Sequence, residues 1–220
     1  MKVLGIDEAG RGPCIGPLVM CGYLVDDKKI LHLKKIGVKD SKMLTEKRRI
    51  HLEKQLKKIA DDFIIFNISA KKIDKMRSVT NLNKMEIERM QEMINLLSPD
   101  KAVIDALEAN TKRFHKKVSQ NLNNETELIT ENFADQRYVE VGAASIMAKV
   151  CRDNEIKKLH KKHGFFGSGY PSDPVTINFL KDLIKKNKEL PHFVRKSWMT
   201  IHYLKNEKEQ SKLMKFIRSE

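Results

Sequence analysis

No stretch of this chain is apolar for long enough to cross a bilayer, which takes about 20 consecutive apolar residues. The N-terminal run at residues 3–6 is broken by Asp7. That excludes a spanning helix and leaves too short an apolar region for a signal peptide, so the cytoplasm is the expected compartment. Cysteine is scarce. Cys14, Cys21 and Cys151 are odd in number, far apart and without metal-ligand spacing, which excludes a disulfide framework and a cysteine zinc site. Internal repeats, low-complexity tracts and Gly/Ser linkers are lacking, which excludes a solenoid. Acid is also in short supply: 29 Asp+Glu face 43 Lys+Arg, a formal net charge of +14. The excess implies an anionic partner. No amphipathic stretch joins a clean apolar face to this charge, so nucleic acid is favoured and a membrane is not.

What is present suits a globular α/β protein. Of 220 residues, 40% are hydrophobic and 33% charged, enough for one sizeable core with or without an appendage. Residues 2–9, 18–25 and 62–69 have strand composition, as do 101–106 and 127–133. Helical spacing is expected over 46–60, with Thr45 as N-cap, and over 83–97, 111–122 and 142–163. Ser172-Asp173-Pro174 makes a helix start, and Leu190-Pro191 breaks the chain before a basic, mainly helical end. Three early strands followed by alternating strands and helices predict a mixed central β-sheet flanked by helices. The last ~30 residues read as a small C-terminal helical appendage.

The chemistry concentrates at residues 7–17, DEAGRGPCIGP, directly after the first apolar run. Asp7 and Glu8 offer oxygen to a hard divalent cation. Gly10 and Gly12 let the backbone turn sharply and approach a ligand, and Arg11 between them carries a planar cationic fork suited to phosphate. Asp105 ends an apolar strand, where it is either a solvated terminus or a site residue. Asp135 follows the next strand, before an Ala-rich helix, and taken singly reads as a cap or loop acid rather than a site residue. Asp7 lies inside an apolar strand, where an unpaired charge is costly. Asp7, Glu8, Asp105 and Asp135 can meet at one edge of the sheet, where ligands of α/β proteins gather. Clustered carboxylates resist ionising together unless a cation neutralises them, which favours Mg²⁺ or Mn²⁺ over zinc. Consecutive strand residues point to opposite faces, so Asp7 and Glu8 share a site only where the strand ends or twists.

At this point the chain resembles ribonuclease HII, the type 2 ribonuclease H family, in its archaeal form. The matching blocks are GIDEAGRGP at 5–13, DSK at 40–42, NLNKMEIE at 81–88, IDA at 104–106 and AD at 134–135. AASIMAK at 143–149, GSGYPSDP at 167–174 and FVRKSW at 193–198 complete the series. They follow the family's order and span nearly the whole chain. With no additional N-terminal domain, the pattern departs from ribonuclease HIII.

The resemblance implies a ribonuclease H-like fold, with a catalytic domain over 1–190 and a helical segment over 191–220 that contributes to substrate binding. It implies four metal-binding catalytic carboxylates, Asp7, Glu8, Asp105 and Asp135. It implies hydrolysis on the 5′ side of ribonucleotides in duplex DNA or in RNA–DNA hybrids. Gly10, Arg11 and Gly12 would recognise the 2′-hydroxyl and adjacent phosphates, and Tyr170 would pack against the sugar beside the cut. Without the resemblance, Tyr170 is an ordinary loop aromatic. The expected mechanism is in-line attack by metal-activated water, with a second Mg²⁺ or Mn²⁺ steadying the leaving 3′-oxygen. Products would carry 3′-hydroxyl and 5′-phosphate ends.

Lys42, Lys149 and Arg152 are candidate phosphate contacts, though the last two also suit an exposed helix face. Departures from the family pattern are local: Cys14, the Asn132-Phe133 pair before Ala134-Asp135, and Gly142 at the expected helix start. Gln210, Leu213, Phe216 and Ile217 approximate a sliding-clamp-binding peptide whose second aromatic is replaced by Ile217, but Leu213, Phe216 and Ile217 better suit the buried stripe of an ordinary terminal helix. A monomer is expected. The competing readings are a non-catalytic nucleic-acid-binding protein on this fold and a type 1 ribonuclease H.

Overall fold

The computed structural model describes residues 1–38, 41–123, 125–186 and 189–217, with 211–217 described for the backbone alone. Five strands build the sheet: β1 (Lys2–Ala9), β2 (Leu18–Asp26), β3 (Asp62–Ile68), β4 (Lys101–Asp105) and β5 (Glu127–Glu131). Their order is β3-β2-β1-β4-β5. The first three strands pair antiparallel, β1 with β2 across the short turn at residues 10–17 and β2 with β3 across a long helical connection at 27–61. β4 and β5 join β1 in parallel, and each arrives after a helical crossover, as parallel pairing requires. The mixed sheet expected from the sequence is what forms.

The helices are α1 (Ile30–Lys35), α2 (Glu46–Ile59), α3 (Ala70–Arg77), α4 (Leu82–Leu97), α5 (Thr111–Ser119), α6 (Ala134–Arg137), α7 (Val139–His163), α8 (Pro174–Lys185) and α9 (Met199–Ile217). Alternation along β1 sorts them into two layers. Leu4 and Ile6 face the methionine-rich core under α4, with Met85, Met90 and Met93. Ala9 packs into the other core with Val19, Cys21 and Tyr23 of β2, against Ala143, Ala144 and Met147 of α7. The methionines therefore fill space, as the helical spacing predicts. Thr45 caps α2 by accepting from Arg48 N at 3.3 Å, as expected.

Several boundaries differ from the sequence reading. The strand expected over 62–69 gives up Ser69, whose hydroxyl caps α3 by accepting from Lys72 N. α3 is short and basic, so its apolar period is too brief to read. α1 is shorter still, six residues, and has the same cause. β5 stops at Glu131, and Phe133 turns the chain in a left-handed conformation (φ 60°) into α6. α7 starts at Val139, so Gly142 lies inside it and is not at its start.

The end of the chain does more than trail away. Phe193, Val194, Ile201 and Leu204 enter a third core with Cys14, Ile15 and Phe166. Ile15 and Val194 form an antiparallel bridge, and Arg195 N donates to Cys14 O at 2.8 Å.

Candidate active site

The three parallel strands bring their carboxyl ends to one edge. β1 and β4 run in register with Ile6 beside Ile104, so Asp7 and Asp105 follow as lateral neighbours. Asp105 then accepts from Ala134 N at 2.9 Å, which ties the start of α6 to the end of β4. That bond sets Asp135, only 3% exposed, on the first turn of α6 facing the same edge. The four predicted carboxylates are thus brought together, each within electrostatic reach of others in the set.

The pleat still separates Asp7 from Glu8. Asp7 turns to the α7 side, where Ser145 hydrogen-bonds it, and Ser145 is itself bonded to Ser41 at 2.8 Å. Glu8 turns to the α4 side, toward Glu86. Among the described residues no three Asp, Glu, His or Cys side chains close into a ready metal cage. Burial, reinforced by the charges of Asp105 and Asp135, pushes the Asp7 carboxyl from 3.8 up to about 7. Burial next to Asp7 and Glu86 likewise holds Glu8 well above the usual carboxylate range. Asp105 is raised too, mainly by burial. Among the described residues, Glu8 Oε2 and Asp135 Oδ1 are buried with no hydrogen-bond partner. Oxygen donors that are crowded, protonation-prone and partly orphaned suit a hard divalent cation, which supplies the missing charge and ligand bonds together.

This arrangement has a measurable sign. A proton held more tightly by folded than unfolded Asp7 stabilises the fold below about pH 4, and the advantage is lost as pH rises to about 7. In chelator, Asp7→Asn should therefore gain melting temperature relative to the parent between pH 5 and 8, and saturating Mg²⁺ should abolish the gain. A difference that stays flat across this range would contradict the burial account.

The glycine turn sits beside these acids. Gly10 has φ 84°, and a Cβ there would lie 2.3 Å from Arg152 Nε and 2.7 Å from Pro17 O, so the position demands glycine. Gly12 is different: a Cβ would meet only Tyr170 Cε1, at 3.9 Å. At that distance a methyl would touch the ring in ordinary van der Waals contact, so Gly12 and Tyr170 face each other across about the width of one methyl group. Arg11 does not swing free. Its Nε donates to both oxygens of fully buried Glu86 at 3.1 Å, and its Nη2 donates to Asn83 Oδ1 at 2.5 Å. Burial lifts the Glu86 carboxyl to about 7 while the Arg11 charge opposes it.

Tyr170 is carried by a loop pinned at both ends. Cys14 N and Ile15 N both donate to Gly169 O, at 2.8 and 3.2 Å. Asp173 accepts from Ser168 N at 2.6 Å and Ser168 Oγ at 2.8 Å, and it caps α8 through Val175 N. Those bonds hold its carboxyl down at about 2. Beneath the ring lies Arg152, 2% exposed, its guanidinium 5.1 Å from the ring centroid. Arg152 is therefore not a surface decoration of α7. Lys149 pairs with Asp153 at 2.5 Å and, with Tyr170 and Ser168, borders a trench of about 600 Å³. Lys42 Nζ lies 3.4 Å from Asp135 Oδ2 on an otherwise exposed side chain. Asp40 of the same short block lies outside the described residues, as do the side chains of Leu213, Phe216 and Ile217.

Glu86, Asn83, Ser145, Arg195 and Trp198 escaped the sequence reading as site residues. The blocks NLNKMEIE and FVRKSW contain four of them, but burial and pairing across the fold are not visible in one chain.

The geometry agrees with what the chain is similar to. The family model for ribonuclease HII matches residues 4–201. Ribonuclease HII from Pyrococcus furiosus is 46% identical over an alignment of 224 residues that covers 99% of both chains. The crystal structure of the ribonuclease H2 from Pyrococcus horikoshii OT3 matches with a TM-score of 0.88 at 42% identity, covering 94% of this chain and 98% of that one. Ribonuclease HII in its complex with PCNA from Archaeoglobus fulgidus matches with a TM-score of 0.83 at 37% identity, covering 90% and 95%. The carboxylate edge and the glycine turn therefore sit in a chain that belongs to the ribonuclease HII family, metal-dependent endoribonucleases of the type 2 ribonuclease H class.

Proposed function

We propose that this chain hydrolyses the phosphodiester on the 5′ side of a ribonucleotide embedded in duplex DNA or in an RNA–DNA hybrid, leaving 3′-hydroxyl and 5′-phosphate ends. The observation that carries the reading is the edge of crowded, buried acids, with unpartnered oxygens on Glu8 and Asp135 among the described residues, followed in the chain by a glycine turn whose Gly12 faces the Tyr170 ring. A turn without a side chain at Gly12 lets a sugar edge approach its backbone beside the aromatic ring. The 2′-hydroxyl is the group by which such a turn tells RNA from DNA.

Asp7, Glu8, Asp105 and Asp135 are the proposed ligands for Mg²⁺ or Mn²⁺, two per site during the reaction. The buried, unpartnered oxygens of Glu8 and Asp135 support this assignment. Bound divalent ions would supply an activated water and neutralise charge on the scissile phosphate and leaving oxygen. The chain's own residues do the rest. Gly10, Arg11 and Gly12 present backbone to the sugar, and Tyr170 packs against the sugar beside the turn. Lys42 and Lys149 are proposed to meet phosphates, which positions a duplex without reading its sequence. Arg152 contributes from below by supporting Tyr170, because its guanidinium is buried.

Product mapping on a duplex with one embedded ribonucleotide tests this directly. A single nick 5′ to the ribonucleotide with 3′-hydroxyl and 5′-phosphate ends is expected in Mg²⁺ or Mn²⁺. An intact substrate, or cutting only within ribonucleotide runs, would overturn it.

The relative solved in complex with PCNA supports a second, separable proposal: that the C-terminal segment from Gln210 docks on a sliding clamp. Deleting residues 210–220 should abolish clamp pull-down and leave cleavage of a free short duplex unchanged. Clamp binding that survives the deletion would remove the segment from this role. The protein is proposed to act as a cytoplasmic monomer.

A further inference from the structure

The glycine turn is held from behind, carbonyl by carbonyl. Arg195 is fully buried. Its Nη2 donates to Gly10 O at 2.5 Å, its Nη1 to Arg11 O at 2.9 Å and its Nε to Gly16 O at 3.0 Å. Trp198 Nε1 donates to Gly12 O at 3.0 Å. All three peptide oxygens of Gly10-Arg11-Gly12 are thus drawn toward one short strap near the chain's end. The strap is itself anchored, since Asp74 of α3 accepts from Lys196 N at 2.8 Å and Ser197 N at 3.0 Å.

Geometry gives this arrangement a consequence. Within a trans peptide the C=O of one residue and the N–H of the next lie in a plane and point oppositely. Drawing Gly10 O and Arg11 O inward therefore turns the amides of Arg11 and Gly12 outward. The next residue, Pro13, has no amide to offer. Gly12 is fixed through both of its peptide planes, one held by Arg195 and the other by Trp198. Among the described residues Arg195 has no ion-pair partner, a costly state for a buried guanidinium, and the carbonyls of the turn are what compensate it. The arginine and the turn are therefore mutually dependent.

We propose that Arg195 and Trp198 are positioning residues for ribose selection, aiming the two outward amides of the turn. Discrimination between a ribose and a deoxyribose then depends on the C-terminal strap as well as on the turn. The inference rests on the reading that the turn tests the sugar, and it adds what holds that test in aim.

The experiment measures duplex affinity in an Asp105→Asn background, so that the substrate is not cut. Two duplexes are compared, one with a single ribonucleotide and one all-deoxy, and their affinity ratio reports sugar recognition. Trp198→Phe removes the indole donor and keeps a ring beside Arg195, which stacks on it at 4.7 Å. It should lower the ratio by about tenfold, the scale of one well-aimed hydrogen bond, with all-deoxy affinity and melting temperature unchanged. Arg195→Lys keeps the charge, loses the fork and should lower the ratio at least as far. If Arg195→Lys does not fold, Trp198→Phe decides alone.

Gly12→Ala serves as the control, because the protein itself has room for the methyl. If Gly12→Ala loses the ratio while Trp198→Phe and every folded Arg195→Lys keep it, the turn reads ribose unaided and the inference is overturned. If the background protein shows no ratio, the reading of the turn fails and takes the inference with it.

Discussion

Asp105→Asn is expected to lower the cleavage rate on the order of 10³-fold while leaving duplex affinity within about twofold, the scale of losing one electrostatic anchor of the reaction. The substitution is nearly isosteric. The amide oxygen can still accept from Ala134 N, so the link between β4 and α6 that seats Asp135 survives. What is lost is one negative charge among the acids around Asp7, whose carboxyl is pushed up to about 7 by burial first and by the charges of Asp105 and Asp135 in addition. On the proposed function, cation binding depends on that charge, whereas duplex affinity depends on lysines and the glycine turn. Single-turnover cleavage beside a binding titration separates the two. Near-parental cleavage by the variant would remove Asp105 from the chemistry, and a parallel loss of affinity would recast it as a structural residue.

Gly5→Ala should be the most damaging small change in the core, costing about 3 kcal/mol or more. An added Cβ would lie 2.3 Å from the carbonyl carbon and oxygen of Glu140 and 2.5 Å from Val141 N. These are backbone atoms near the start of α7, and no rotamer can relieve the clash. β1 cannot retreat either, because Gly5 pairs with Tyr23 of β2 on one side and Val103 of β4 on the other. A loss of that size corresponds to a fall in melting temperature of roughly 6–12 °C for a chain this long. Activity should fall with it, since α7 carries Ser145 against Asp7 and Arg152 under Tyr170. Thermal unfolding within about 2 °C of the parent would show that α7 shifts freely on β1, against the close packing argued here.

The two variants mark what could be read in advance. Asp105 stood out as a candidate because an acid ending an apolar strand is either a solvated terminus or a site residue, and the family resemblance chose between the two. Gly5 was not, because in sequence it is only a glycine between Leu4 and Ile6. The long helices and the sheet were legible wherever an apolar period ran for several turns or alternations. α1, α3 and α6 were not, being too short for a period and rich in charge. Arg152 shows the same limit in a side chain. On a helix with basic neighbours it reads as surface, and only the packing of Gly10 on one side and Tyr170 on the other makes it buried.

The sequence by itself determined the chemistry on offer: four carboxylates, a glycine-flanked arginine and a basic chain, in an order that implies a mixed α/β sheet. Those are properties of residue types and local spacing, and they are written along the chain. Only the tertiary structure decided which of them meet. Register places Asp7 beside Asp105, the pleat turns Glu8 to the opposite face, and α6 swings Asp135 back to the same edge. The strap at 195–198 reaches a turn lying more than 180 residues earlier in the chain. Such pairings are fixed by the closure of the sheet and its cores, a property of the whole chain that no local window contains.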